Sequence, residues 1–357
     1  MMTTGADLPT KIFRMNPDQP EESYIEEAAR VLQSGGLVAF PTETVYGLGA
    51  NIYHPESVER IFQVKGRPGD NPLIVHLYSV EQVPEVAETI PDVFRVLAQQ
   101  FLPGPLTMIL PKKQTVSAVV SAGLPTVAIR IPAHPVAARL LAKAAIPVAA
   151  PSANLSGRPS PTLGSHVVDD LQGRVEVILD AGPTGVGVES TVLDLTGERP
   201  RIFRPGGITL EMLREVLGDS VEAPELINTH RPLAPGMKYR HYAPQAPLYL
   251  FTGELQAVEE EIRKRLEASV DGKKKVAVLA FAESELAKQT LPANILLYSL
   301  GSKERLAEAA HNLFRCLRLC DQEGADLIYA VAPPRKGVGE AVYNRLLKAA
   351  GGNVVEV

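Results

Sequence analysis

The sequence predicts an α/β protein of two domains, an N-terminal domain with a mixed sheet and a smaller C-terminal domain built from βαβ units. Short apolar and β-branched runs alternate along the chain with segments of helical periodicity. In the N-terminal part, several of these runs lie too close together for a helical crossover, which favours some antiparallel pairs. The length of 357 residues is enough for two domains that each bury a core.

The N-terminal domain, expected over residues 1–217, begins with a helix and a buried strand. Residues 21–33 carry apolar side chains at helical spacing, and Gly35 and Gly36 end that helix before the apolar run 37–40. The same patterns predict further strands at 73–77, 106–110, 127–131, 148–150, 175–179, 191–195 and 201–203, and a helix at 135–144.

Residues 218–247 predict a linker, because five prolines interrupt the periodicity. The segment 237–242 nevertheless concentrates basic and aromatic side chains, which is unusual in a passive spacer, so we expect a lid with Gly236 as a possible hinge. A surface tether is the simpler alternative. Residues 248–357 predict a smaller Rossmann-like domain, with strands at 248–251, 276–281, 295–298 and 327–331 and helices at 254–268, 303–319 and 339–349.

Composition excludes several classes of protein. The chain has 36 Lys and Arg against 41 Asp and Glu, a formal net charge of −5, so any site for anions must be local. Cys316 and Cys320 cannot form a tetrahedral zinc site alone, and their spacing predicts buried thiols on one helix face. The free thiols, with no signal-like N-terminus and no apolar run of ~18 residues, predict a cytoplasmic protein that does not bind membranes.

Several common catalytic and nucleotide-binding motifs are missing. The sequence contains no GxxxxGK[ST], HExxH or GxSxG motif, and the nearest approach to GxGxxG, at residues 185–190, ends in serine. P-loop, metalloprotease and α/β-hydrolase functions therefore have little support.

The densest polar segment, residues 41–50, follows the strand 37–40 directly, and loops at strand ends commonly hold ligands. In the next helix, Lys65 continues the apolar stripe of Val58, Ile61 and Phe62, and Gly66 ends the helix. Lys65 and Arg67 then lie where the helix dipole stabilises cations and where they can point into a cleft. Capping of the helix by solvated charges is the alternative.

Thr126, Ala128 and Arg130 share one face of a predicted strand, and an arginine embedded in this way needs an anion. The loop 150–157 offers hydroxyls, an amide and backbone N–H groups that are typical of an anion-binding nest, although an ordinary Ser/Asn turn has the same composition. Groups of the same kind stand at two more strand ends, around Ser190 and around Arg204.

Ordered motifs make the sequence recognisable. They are PTETVYGLGAN, KGRPGDNPLIVH, TVAIRIP, PVAAPSANLSGRPSPT, GVESTVLDL and RPGGI, followed by APGMKYRHYAP and PPRKGVGEAVYNRLLKAA. With this set the chain closely resembles the YrdC/Sua5 family of threonylcarbamoyl-AMP synthases, in the long, two-domain Sua5 form. The ordered set carries the resemblance, which covers nearly the whole chain and implies a YrdC-like twisted mixed sheet.

The resemblance implies an L-threonylcarbamoyladenylate synthase, a nucleotidyltransferase that condenses L-threonine, bicarbonate and ATP to L-threonylcarbamoyl-adenylate and pyrophosphate. The product is the intermediate for the t6A37 modification of tRNA. Mg²⁺ is expected mainly on the ATP phosphates, with no metal site on the protein. The expected partners are downstream tRNA threonylcarbamoyl-transferase proteins, with tRNA itself bound only weakly or indirectly.

The resemblance also assigns site residues, position by position. Threonine is expected at Thr44, His76, Arg130, Ala150 and Ser190. ATP is expected at Arg67, Asn71, Thr126, Ser152, Ser160, Arg204 and Tyr242. Lys65 and Arg67 are the expected catalytic pair. Taken alone, His76 is more typical of a structural histidine, and surface or structural roles are expected for His54, His134, His166, His230 and His311.

Two alternative functions are considered, one non-catalytic and one a different enzymatic reaction. One is a non-catalytic RNA-binding protein with a concave basic face, which the net charge and the absence of tryptophan disfavour. The other is carbamoylation like that of hydrogenase-maturation proteins with a YrdC domain. Those proteins carry cysteine-rich zinc modules, which two cysteines cannot supply.

Overall fold

The structure, a computed structural model, describes residues 8–224, 242–268, 274–288 and 291–357. The chain divides into two compact units. The first unit contains Met1–Ser156, Ser160–Gly185 and Glu189–Lys238. The second unit contains Tyr239–Val357 together with two short segments from earlier in the chain, Gly157–Pro159 and Val186–Val188.

The described part of the first unit contains one mixed sheet of ten strands. The strands are β1 (Lys11–Arg14), β2 (Val38–Phe40), β3 (Gly47–Asn51), β4 (Ile74–His76), β5 (Leu106–Pro111), β6 (Thr126–Arg130), β7 (Val148–Ala149), β8 (Val177–Asp180), β9 (Thr191–Asp194) and β10 (Arg201–Arg204). Their order is β1-β8-β2-β3-β7-β4-β6-β5-β9-β10. The pairs β1–β8, β2–β8, β4–β6 and β5–β9 are parallel and the others are antiparallel, so the prediction of a mixed sheet is confirmed.

Helices cover both faces of this sheet. They are α1 (Glu22–Gln33), α2 (Pro55–Lys65), α3 (Asp92–Phe101), α4 (Ala118–Ser121), α5 (Pro135–Ala144), α6 (Gly164–Leu171) and α7 (Leu210–Leu217). Apolar residues of α1 and α5 pack with Val38 and Phe40, whereas those of α2, α3, α6 and α7 belong to the cluster that contains Leu37 and Ala39. The sheet is therefore buried on both faces, which explains the short continuous apolar runs of the sequence.

One predicted loop is shorter than expected. Residues 47–51 form β3, antiparallel to β2, so only residues 41–46 connect the two strands. The sequence pattern did not indicate this strand, because Gly47 and Gly49 have low β propensity and interrupt the alternation of apolar residues. Gly49 is required by packing: a Cβ at that position would lie 2.9 Å from Phe40 Cε1 and 2.9 Å from Val148 Cγ1.

The second unit contains a parallel sheet over its described residues. Its strands are β11 (Leu248–Thr252), β12 (Val276–Ala280), β13 (Ile295–Ser299), β14 (Leu327–Val331) and β15 (Val354–Glu356), in the order β13-β12-β14-β11-β15. Its helices are α8 (Leu255–Ala268), α9 (Leu306–Gln322) and α10 (Gly339–Ala350). The predicted Rossmann-like βαβ arrangement is confirmed.

Cys316 and Cys320 are buried on α9, as predicted, and burial raises the pKa of Cys316 to about 12. Burial also raises the pKa of Cys320, so neither thiol is ionised at neutral pH. Among the described residues, no helix has the length and apolar character that crossing a membrane requires.

The predicted linker, residues 218–247, is described only at its two ends. Val221 is buried in the core of the first unit, and Ile202 N donates a hydrogen bond to Glu222 O (3.1 Å). Residues 225–241 lie outside the described residues. Gly236 and the segment 237–241 of the expected lid, together with His230, fall in this range, so the lid stays a prediction.

Candidate active site

The parallel pair β4–β6 brings two of the predicted residues side by side. His76 and Arg130 are register partners at the carboxyl ends of these strands, and both are buried. Val127 and Ile129 point into the larger core, whereas Ala128 belongs to a separate apolar cluster on the other face. The period-two pattern of the strand therefore places Arg130 away from the larger core, as the sequence predicts.

Arg130 pairs with the carboxylate of Glu43. Its Nη2 lies 2.8 Å from Glu43 Oε1, and the two side chains are 4% and 15% exposed. The N–H does not point along this line, so the contact is a close ion pair and not a directed hydrogen bond. Arg130 Nε also donates to Gly104 O (3.3 Å), and Ala133 N donates to Glu43 Oε2 (3.2 Å).

Glu43 contacts the predicted site residue Arg130, and the sequence analysis did not single it out. The available signal was its position inside the polar segment 41–50, next to Thr44. In the folded chain, Thr44 Oγ1 lies 2.8 Å from Thr42 Oγ1, which also donates to Val45 O (2.6 Å). These hydrogen bonds fix the loop that carries Glu43 to Arg130.

The imidazole of His76 is held neutral. Its ring packs edge-on against Phe40, with a centroid distance of 6.2 Å, and its Nδ1 lies 3.3 Å from Ile74 O. Burial, reinforced by the positive charge of Arg130, lowers the pKa of His76 to about 3. At neutral pH, His76 therefore provides a hydrogen-bonding group and no positive charge.

Ser190 and Arg204 are joined by hydrogen bonds at the antiparallel strands β9 and β10. Arg204 is buried, and its Nε and Nη2 donate to Ser190 O (3.1 and 2.9 Å). Gly206 packs directly against this backbone: a Cβ on it would lie 2.3 Å from Thr191 N and 2.4 Å from Ser190 C. Only glycine permits this approach, which gives the RPGG motif a structural reason.

The loop before β5 connects Ser190 to Arg130. Gly104 O accepts from Arg130 Nε, and the next residue, Pro105, accepts from Thr191 N through its carbonyl (3.0 Å). Ala150 N donates to Ile74 O (2.9 Å) on the strand that carries His76. His76, Arg130, Ala150 and Ser190 are thus connected through backbone and side-chain hydrogen bonds of neighbouring strands and loops, by way of Ile74, Gly104, Pro105 and Thr191.

Lys65 is the last residue of α2 and is buried, which confirms the predicted stripe. Gly66 ends the helix in the left-handed conformation, with φ 61°. The ammonium reaches another loop, where Nζ donates to Ser152 O and to Asn154 O. A solvated helix cap does not describe this lysine, because its charge is held inside the protein.

Most of the residues assigned to ATP also lie in the first unit. Arg67 is half-buried, and Asn71 is fully buried, with no hydrogen-bond partner for either amide atom among the described residues. Ser160 Oγ donates to Glu189 Oε1 (2.6 Å), beside Ser190, and Ser152 Oγ donates to Asn154 Oδ1 (2.5 Å). Thr126, four residues before Arg130, lies at the other end of β6.

Tyr242 belongs to the second unit. Its ring packs against Phe314, with a centroid distance of 5.3 Å, and the guanidinium of Arg345 lies 5.5 Å from the ring centroid. Its assignment to ATP therefore stays a prediction.

His134 and His166 accept backbone hydrogen bonds. His134 Nδ1 accepts from Val136 N (3.2 Å) at the start of α5, and burial lowers its pKa. His166 Nδ1 accepts from Thr162 N (3.3 Å).

Comparison with known proteins identifies the family. Residues 30–206 match the family model described as "Telomere recombination", and residues 208–351 match "Threonylcarbamoyl-AMP synthase, C-terminal domain". A threonylcarbamoyl-AMP synthase from Pyrococcus abyssi is 45% identical, over 94% of this chain and 97% of its own length. The chain belongs to the Sua5/YrdC family of threonylcarbamoyl-AMP synthases. The resemblance drawn from the ordered motifs is confirmed, and the chain is a member of an enzyme family.

Other Sua5/YrdC relatives extend the comparison. The synthase from Bacillus subtilis is 45% identical, over 94% of this chain and 95% of its own length. The crystal structure of P. abyssi Sua5 complexed with L-threonine is 43% identical, with a TM-score of 0.90, and covers 97% of this chain and 99% of that one. A shorter relative from Mycobacterium tuberculosis is 36% identical and covers 58% of this chain but 96% of its own length.

Proposed function

We propose that the chain condenses L-threonine, bicarbonate and ATP to L-threonylcarbamoyl-adenylate and pyrophosphate. The observation that supports this most strongly is the similarity, over nearly the whole chain, to the P. abyssi Sua5 structure complexed with L-threonine. The buried cations Lys65, Arg130 and Arg204 fit the reaction, because its substrates bring a carboxylate, bicarbonate and a triphosphate into one site.

Arg130 is proposed to bind the threonine carboxylate. Its Nη2 is occupied by Glu43 and its Nε by Gly104 O, whereas its Nη1 has no partner among the described residues. Glu43 therefore holds the guanidinium in place while one edge stays available to a substrate. A fixed guanidinium loses less conformational entropy when the substrate binds.

The reaction proceeds in two steps. The free amine of threonine attacks the carbon of bicarbonate, and water is lost to leave a carbamate. A carbamate oxygen then attacks the α-phosphorus of ATP, and pyrophosphate leaves with the electrons of the broken P–O bond. Positioning and charge stabilisation dominate such a reaction, and Lys65 is proposed to stabilise the charge that develops at phosphorus.

Neutral His76 is proposed to orient threonine through a hydrogen bond. With a pKa of about 3, His76 is too weak a base to remove a proton from the threonine ammonium at neutral pH. Threonine must therefore enter as the free amine or lose its proton to another group.

We propose that Mg²⁺ enters with ATP. Among the described residues, no group of three His, Cys, Asp or Glu side chains is placed to hold a metal ion. We therefore propose that phosphate oxygens and water hold the Mg²⁺ ion. The ion would neutralise part of the phosphate charge.

The proposed product would serve the t6A37 modification of tRNA. L-Threonylcarbamoyl-adenylate is a mixed anhydride that hydrolyses easily, so a tRNA threonylcarbamoyl-transferase must take it up soon after release. The net charge of −5 fits a protein that binds tRNA only weakly or indirectly, and we propose that it acts in the cytoplasm.

Measurement of pyrophosphate release tests the reaction. Release from ATP should require both threonine and bicarbonate, and omission of either should stop it. Release that is independent of both would refute the assignment. A non-catalytic RNA-binding protein would instead show no threonine-dependent turnover and an RNA affinity that falls steeply with salt.

A further inference from the structure

The second unit contains a cavity of about 400 Å³ that the proposed reaction does not use. Its lining includes Phe251–Gly253 at the end of β11, residues 331–335 at the end of β14 and beyond it, and Phe281 directly after β12. The cavity therefore lies at the carboxyl edge of the parallel sheet. Its volume falls in the range of small-molecule sites.

The topology of the sheet explains why a cavity forms there. The neighbouring strands β11 and β14 send their connections in opposite directions, β11 across β14 to β12, and β14 across β11 to β15. Right-handed crossovers then place α8 and α10 on opposite faces of the sheet. A crevice opens where the loops from adjacent strands turn to opposite faces, and such crevices are the usual ligand sites of parallel α/β sheets.

The floor of the cavity is apolar and its rim is cationic. Phe251, Phe281 and Val258 are buried and form part of the floor. Lys303 and Arg335 line the rim, and no Asp or Glu is among the described residues that line the cavity. This lining favours a ligand that joins a flat apolar body to an anionic group.

The loop that carries Lys303 is fixed by Glu283, which is not among the residues that line the cavity. Glu283 accepts from Ser302 Oγ (2.5 Å) and from Lys303 N (3.0 Å), which fixes the loop that carries Lys303. No carboxylate among the described residues lies within ion-pair distance of the Lys303 ammonium.

Arg335 is fixed by two further contacts. Glu340 accepts from its Nε and its Nη2 (2.9 Å each), and its guanidinium lies 4.6 Å from the centroid of the Tyr343 ring. Its Nη1 has no partner among the described residues.

The backbone N–H groups at the start of α8 also favour an anion in the cavity. Leu255 is the first residue of this helix and also lines the cavity. The first backbone N–H groups of a helix have no partner within the helix, and they attract anions, phosphates above all.

We propose that this cavity binds a small aromatic phosphate of the nucleoside monophosphate class. The ring lies on the apolar floor between Phe251 and Phe281, and the phosphate lies between Lys303, Arg335 and the start of α8. All of these residues belong to the second unit. The proposal therefore goes beyond the synthase reaction and does not depend on it.

Hydrogen-exchange mass spectrometry of the full chain with AMP tests the proposal, because it reports binding peptide by peptide. AMP should slow exchange in the segments 251–258 and 331–343. Lys303→Met should raise the AMP concentration needed for half of this protection about tenfold or more, since a charge-assisted contact is lost. Lys274→Met is the matched control: Lys274 is exposed, precedes β12 at the opposite edge of the sheet, and should leave protection unchanged.

Three further measurements complete the test. Ala332→Phe fills the cavity and should abolish the protection, while thermal unfolding shows that the variant is folded. Adenosine and inorganic phosphate, each alone, should protect both segments less than AMP does. Equal protection by phosphate would show a plain anion site and overturn the aromatic part. No protection by AMP at millimolar concentration, or protection unchanged in Lys303→Met, would overturn the proposal.

Discussion

At the scale of single residues, the buried guanidinium of Arg130 gives the most direct prediction. Arg130→Ala should raise the KM for threonine about ten- to 150-fold, because a charge-assisted bond of ~1.5–3 kcal/mol is lost, and should change the KM for ATP less. Initial rates with each substrate varied in turn measure both constants. Arg139→Ala, at an exposed position of α5, is the control. An unchanged KM and kcat for threonine in folded Arg130→Ala would remove Arg130 from the site.

The neutral His76 makes stability depend on pH. Its pKa is about 3 in the folded chain and 6.5 when unperturbed, so between these values the unfolded chain binds a proton that the folded chain does not. The free energy of unfolding therefore falls as the pH falls below about 6.5. Between pH 7 and pH 5, this group should account for roughly 2 kcal/mol of the loss, which His76→Asn should remove. Urea unfolding at the two pH values measures it; an identical loss in both proteins would contradict the buried, neutral histidine.

At the scale of elements, the end of α2 places Lys65 where one nitrogen serves two carbonyl groups of the loop 150–157. Lys65→Met should lower kcat about 100-fold or more with little change in the KM for threonine or for ATP, if the ammonium stabilises charge that develops only in the transition state. Lys65→Arg should not restore the rate fully, because a forked guanidinium does not fit a position built for a point charge. Steady-state kinetics tests both variants, and wild-type turnover in Lys65→Met would show a structural lysine only.

The β9–β10 hairpin makes a prediction of its own. Gly206→Ala should lower kcat/KM for threonine, because the new Cβ would lie 2.4 Å from Ser190 C and must push the Ser190 backbone away from Arg204. Gly197→Ala, between the same two strands, is the matched control, since its Cβ would meet only Arg199 O at 3.7 Å. Steady-state kinetics measures the loss of kcat/KM, and thermal unfolding shows whether Gly206→Ala also destabilises the fold. Equal activity of both variants would show that the close approach has no role in the site.

The sequence correctly predicted strands and helices whose buried residues recur with the period of a strand or of a helix. The alternation in 126–131 and the helical stripe that ends at Lys65 were both correct, because a sheet covered on two faces enforces such patterns. The strand β3 was missed because its glycines are required by contacts with Phe40 and Val148, which lie on other strands. The Glu43–Arg130 pair was missed for the same physical reason: it joins a loop to a distant strand, and no local spacing encodes that contact.

At the scale of the whole molecule, the two units allow a test of the expected lid. The first unit has its own apolar cores, and the M. tuberculosis relative, whose match covers 96% of its own length, spans only 58% of this chain. A chain cut after Pro224 keeps the buried Val221 and the hydrogen bond from Ile202 N to Glu222 O, so it should fold. It should also bind threonine, which titration calorimetry can measure.

The same cut removes Tyr242 and the segment 237–241, so the shortened chain should form little adenylate or lose it to water. In the full chain, ATP with threonine should slow tryptic cleavage after Lys238 and Arg240, because a closed lid shields both sites. Full activity of the shortened chain, together with equal cleavage with and without ligands, would eliminate the lid and leave a surface tether. Ligand-dependent protection of Lys238 and Arg240 in the full chain would support closure of this segment, which a tether of proline and polar residues does not require.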